Sequence, residues 1–172
     1  MGESQTELKD NDALEIERIY VLQAFHRKKI GTALLASIGS AAVPSAGMVM
    51  LGYEDTTSVT MEDMIRFTTA TKNARKNSLI VSDLPINSYQ TEQDAVTNSL
   101  KLIQAGADAV KLEGGKEVAK IIRAITESGI AVMGHLGLLP QTAEKYTVQG
   151  KTRENAIQLI EDAKIITESG VF

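Results

Sequence analysis

The sequence predicts an α/β protein in which parallel strands alternate with helices. Two observations carry this. From Asn77 onward, short apolar runs rich in β-branched residues alternate with amphipathic stretches about three turns long. The joints "QAGADAV", "ESGIAV" and "ESGVF" each place a glycine after a helix and an apolar strand directly behind it. Such β-α-β-α order requires crossover connections and hence a parallel sheet. The composition agrees, since aromatic residues make up only 4% and tryptophan is absent. A core of Ala, Ile, Leu and Val suits helices packed on a parallel sheet.

The elements follow in order. "SLIVSDLP" (Ser78–Pro85) reads as a buried strand ended by proline. "TEQDAVTNSLKLIQAG" opens on Thr91 as an N-cap and closes on Gly106 at C′, with Ala95, Leu100, Ile103 and Ala105 as its apolar positions. "ADAVKLEGG" is the next strand, and "KEVAKIIRAITESG" the next helix, ending at Gly129. "IAVMGHLGL" is a strand, "KTRENAIQLIEDAKIITESG" a helix ending at Gly170, and "VF" begins another strand. An open doubly wound sheet and a (β/α)8 barrel both fit this order. No Gly-rich dinucleotide fingerprint follows any of the strands. Met48, Met50, Met61 and Met64 read as packing residues.

Bulk properties exclude several function classes. The 172 residues suffice for one domain with a sizeable core, and the net charge of −4 argues against a general nucleic-acid binder. Without cysteine there is no disulfide and no thiolate metal site. No apolar run approaches the roughly 20 residues of a membrane span. The acidic start "MGESQTELKDNDALEIE" has no signal-peptide character, so a cytoplasmic location is expected.

In parallel α/β folds, ligands bind at the carboxyl ends of strands. Those ends carry Asp83, then Lys111 and Glu113, then His135. Two carboxylates from neighbouring strands can hold a hard divalent cation, and the lysine can neutralise a substrate carboxylate or enolate. Plainer roles stay open. Asp83 before a proline can be a turn former, Lys111 and Glu113 a rim ion pair, and His135 a core histidine.

The segments "GMVMLGYEDTTSVTMEDMI", "LIVSDLPINSY", "AGADAVKLEGG", "VMGHLGLLPQ" and "YTVQGKT" resemble the ketopantoate hydroxymethyltransferase family, from about Ser45 to Phe172. The resemblance implies a (β/α)8 barrel, of which this chain is a partial one, assembled as a homodecamer. It implies hydroxymethyl transfer from 5,10-methylenetetrahydrofolate to the α-keto acid 3-methyl-2-oxobutanoate, through an enolate stabilised by Mg²⁺ or a similar ion. Carried over by motif, Asp83 and Glu113 are metal-site carboxylates. Ser45, Asp83, Lys111 and His135 contact the substrate. The family's Gly-Asp-Ser motif corresponds here to "VPSAGM", with Pro44 in place of a metal-ligand aspartate. The family's basic glutamate lies on the strand after Gly170, past Phe172, so weak or no turnover is expected of this chain. The loop after "GLLPQ" is shorter than the family pattern.

"LEIERIYVLQAFHRKKIGTALL" (Leu14–Leu35) is instead similar to the acetyl-CoA-binding strand-loop-helix of N-acetyltransferases, whose loop amides hold a pyrophosphate. "ASIGSAAVPSAG" is linker-like in its small residues. The expected organisation is an N-terminal segment over 1–38, a seam over 39–46 and a barrel portion over 47–172. Such a join can arise from a fusion, a frameshift or a hybrid. A non-catalytic half-barrel with unpaired edges is the competing reading.

Overall fold

A computed structural model describes residues 14–16 and 19–21 by their backbone, and residues 57–77, 79–142 and 147–172 with their side chains. Near the N-terminus, β1 (Leu14–Ile16) and β2 (Ile19–Val21) pair antiparallel. Strand β2 occupies the place of the "IYV" strand. The loop and helix expected after it, the 39–46 seam, Ser45 and Pro44 all lie outside the described residues.

The remaining elements form one β/α succession. They are α1 (Met61–Ala74), β3 (Val81–Asp83), α2 (Glu92–Ala105), β4 (Ala109–Glu113), α3 (Ala119–Glu127), β5 (Ala131–His135) and α4 (Arg153–Glu168). The sheet order β3-β4-β5 follows the chain, and both pairings are parallel. A single 3-10 turn, Lys116–Val118, precedes α3, so the "KEV" read as helix is a tighter lead-in. At the C-terminal end, Phe172 is not part of an assigned strand. Its N–H donates to the Val132 carbonyl at 3.1 Å, which extends the sheet past β5 by one bond.

Local chemistry explains the helix boundaries. Thr60 caps α1, its side chain accepting from the Asp63 N–H while the Asp63 carboxylate accepts from the Thr60 N–H, a reciprocal capping box. Thr91 caps α2 and Thr152 caps α4 in the same sense, each accepting from the N–H three residues on. Helix α2 stops at Gly106, whose φ of 114° is left-handed and cheap only for glycine.

The core lies between the sheet and the helices. Val110, Leu112 and Val132 are essentially inaccessible, and they meet Met64, Leu102, Ile122, Ile125 and Ile166. Met64 is a packing residue, as expected, and Met61 packs against the same cluster. Gly134 belongs to this side too. A Cβ there would stand 2.7 Å from the Ile166 Cδ1, so α4 approaches the sheet only because the position is bare. One expected inward position differs. Leu100 is exposed, and Leu102 is buried in its stead. Ala95, Ser99 and Leu102 recur at i, i+4 and i+7 on the buried stripe of α2, and Leu100 falls off it.

Among the described residues, no helix is long and apolar enough to cross a membrane.

Candidate functional site

The strand alternation that turns Val110, Leu112 and Val132 toward the helices turns their neighbours the other way. Register then decides which of those neighbours meet. Asp83 pairs with Lys111 and Lys111 with Met133, while Glu113 pairs with His135. Two rows of side chains therefore cross the sheet at the carboxyl ends of β3, β4 and β5.

In the first row, the Lys111 Nζ lies 2.9 Å from the Asp83 Oδ2, with Asp83 buried and Lys111 partly so. In the second row, the His135 Nδ1 lies 3.8 Å from the Glu113 Oε1. The rows touch through the Lys111 Nζ, 3.5 Å from the same Nδ1. The Glu113 contact is an ion pair only when the imidazole is protonated.

In place of the alternative rim pair of Lys111 with Glu113, the structure has a cross-strand pair of Lys111 with Asp83. Residues opposite one another on neighbouring strands stand closer than i and i+2 on one strand. Asp83 is therefore more than a turn former, and His135 is a half-exposed group at the mouth rather than a core histidine.

Burial sets the electrostatics. The Asp83 pKa is pushed up to about 6, chiefly by loss of water around its carboxyl, with Lys111 acting against the rise and Glu113 adding to it. Glu113 is raised by the same loss of water, which the Gln141 N–H and the Lys111 charge counteract. The two carboxylates therefore sense one another in a poorly hydrated pocket. The Asp83 Oδ1 is buried and has no hydrogen-bond partner among the described residues.

Sequence reasoning missed the support around Glu113. The Gln141 N–H donates to the Glu113 Oε2 at 3.1 Å, and the Gln141 Nε2 donates to the Leu84 carbonyl at 3.0 Å. The Tyr89 hydroxyl donates to the Gln141 Oε1 at 3.1 Å. Both residues lie inside quoted motifs, "LPINSY" and "GLLPQ", but no period or spacing marks them as partners.

A family model for Ketopantoate hydroxymethyltransferase matches residues 15–172. The chain belongs to this family. The match begins well before Ser45 and runs through most of the segment compared above with acetyltransferases. A curated relative from Nitrosopumilus maritimus (strain SCM1), a 3-methyl-2-oxobutanoate hydroxymethyltransferase, is 59% identical over 132 residues, 74% of this chain and 47% of the relative. An enzyme of the same name from Ignicoccus hospitalis is 52% identical, covering 74% of this chain and 50% of its own length. The chain spans about half the length of the curated relatives it matches. Among solved structures, a 2,3-dimethylmalate lyase of the PEP mutase/isocitrate lyase superfamily superposes with a TM-score of 0.55 at 14% identity. It covers 81% of this chain and 51% of its own, a likeness that shows the α/β fold alone.

The donor set suits the divalent ion that the ketopantoate hydroxymethyltransferase resemblance implies. It offers two carboxylates, one with a buried oxygen lacking a partner among the described residues. No three acidic or imidazole groups among the described residues gather into a metal-holding cluster. A carboxylate pair is the complement Mg²⁺ commonly uses, since it keeps several waters and takes substrate oxygens. Asp83, Lys111, Glu113 and His135 come together at the carboxyl ends of the three strands, and Ser45 lies outside the described residues.

Proposed function

We propose that this chain carries the keto-acid and metal site of an enzyme that transfers a hydroxymethyl group from 5,10-methylenetetrahydrofolate to 3-methyl-2-oxobutanoate, giving 2-dehydropantoate for pantothenate synthesis. The supporting observation is the set Asp83, Lys111, Glu113 and His135 at the carboxyl ends of three adjacent parallel strands. In the reaction, a base takes the C3 proton, the freed carbon pair bonds the one-carbon unit, water supplies the hydroxyl and tetrahydrofolate leaves. When bound, a divalent ion such as Mg²⁺ held by Asp83 and Glu113 would acidify that C3–H. Lys111 neutralises the anionic keto acid, and its Nζ is held at the mouth by Asp83. His135, partly exposed beside Lys111, offers a polar group to a substrate oxygen. Burial of the carboxylates keeps water from screening these charges. A homo-oligomer and a completed (β/α)8 barrel belong to the same proposal, and the exposed Ile157, Ile160 and Phe172 supply apolar surface for association.

Calorimetry of the 172-residue chain with 3-methyl-2-oxobutanoate tests the reading. Binding is expected with Mg²⁺ and absent without it, and Glu113→Gln weakens it at least about tenfold. Equal heats with and without Mg²⁺ overturn the proposal.

A further inference from the structure

The loops that follow β3 and β5 are tied across the mouth of the site. The β3–α2 loop is itself pinned. The Ser88 N–H donates to the Pro85 carbonyl at 3.1 Å, and the Asn98 Nδ2 donates to the Ser88 carbonyl at 2.7 Å. This loop presents two fixed polar groups, the Leu84 carbonyl and the Tyr89 hydroxyl. The Gln141 side chain uses its amide at both ends, donating to the first and accepting from the second. Gln141 is only 4% exposed, and its bond to the Leu84 carbonyl is buried, where leaving it unmade is costly. Its backbone N–H, the third contact, falls on Glu113 rather than within its own loop.

We propose that Gln141 is a positioning residue of this site: its side-chain amide bridges the Leu84 carbonyl and the Tyr89 hydroxyl, and so keeps its own N–H on the Glu113 carboxylate. The proposal rests on the reading of Glu113 as a ligand-binding carboxylate. A free glutamate has three rotatable bonds, and an acceptor bond to a fixed N–H selects one arrangement among them. One Glu113 oxygen is thereby engaged, and the other, Oε1, stands 3.8 Å from the His135 Nδ1. Groups that orient a metal or substrate ligand in this way set affinity without touching the ligand. Tyr89 reaches Glu113 both through Gln141 and directly at the Glu113 backbone.

The test uses the full chain with Mn²⁺ as the probe, read by loss of the free-ion EPR signal, together with amide hydrogen exchange at residue 141. Gln141→Ala is expected to raise the Mn²⁺ Kd about tenfold. It also lowers exchange protection at residue 141 about tenfold, the loss of one hydrogen bond. Tyr89→Phe, which deletes one hydroxyl and leaves the fold least disturbed, gives a smaller shift of the same sign. Because Gln141 works through Glu113, the Gln141→Ala effect on Kd disappears in a Glu113→Gln background. A Kd unchanged in both single variants, with the wild-type chain binding Mn²⁺, overturns the inference and leaves Gln141 a loop tie. An additive effect in the Glu113→Gln background overturns it as well. Failure of the wild-type chain to bind Mn²⁺ instead removes the metal-site reading, and the positioning role falls with it.

Discussion

On the side of the β3–β5 sheet that meets the helices, Val110, Leu112 and Val132 are fully packed and no charge intrudes. On the opposite side, one residue along each strand, Asp83, Lys111, Glu113 and His135 crowd charges into a pocket with little water. The same backbone and the same hydrogen-bond ladder serve both. The first side lowers the free energy of folding by burying apolar surface. The second gives some of that up, since raised carboxyl pKa values mean the folded state holds these anions less comfortably than water does. Neighbouring positions on one strand therefore answer to different demands, and substitutions one residue apart should report differently.

The largest expected effect is on the packed side. Leu112→Ala should cost about 3 kcal/mol in urea unfolding, from lost burial plus the cavity left between sheet and helices. A cost under about 1 kcal/mol would mean that this side is not the chain's stabilising core and would break the comparison.

The pocket side should instead show itself through pH. The folded pKa of Asp83, about 6, exceeds its ordinary 3.8, so the folded chain binds this proton more tightly than the unfolded one. Stability from this group is full below the lower value and is lost as pH rises through the higher one. The metal-free chain should therefore gain about 1 kcal/mol between pH 7.5 and pH 5, with Glu113 acting in the same direction. Asp83→Asn should flatten that slope, and Leu112→Ala should leave it intact. Stability that falls over the same interval would contradict the burial assigned to Asp83.

A third substitution sharpens the contrast by touching neither side. Thr91→Ala removes the α2 cap and should cost about 1 kcal/mol in unfolding experiments. It should change neither the pH slope nor Mg²⁺-dependent binding of the keto acid.

Much of this was open to reading in the sequence, for local reasons. Thr91 and Gly106 bracket α2 because capping and left-handed φ are properties of single residues. The strand positions of Asp83, Lys111, Glu113 and His135 follow from apolar runs and the turns that end them. Helix phase was harder, as Leu100 and Leu102 show, because two leucines near one stripe differ only in the angle that the neighbouring elements select. The N-terminal comparison with acetyltransferases rested on a short strand-loop-helix pattern, a length over which many folds agree.

The amino-acid sequence by itself determined the alternation of strands and helices, their caps, and the polar residues standing at three strand ends. It did so because period, cap and turn depend on a few neighbours along the chain. Only the tertiary structure decided that Lys111 faces Asp83 rather than Glu113, and that Gln141 reaches Glu113, Leu84 and Tyr89. Those pairings depend on the register between strands and on loops far apart in sequence closing over one pocket, and register is a property of the assembled sheet.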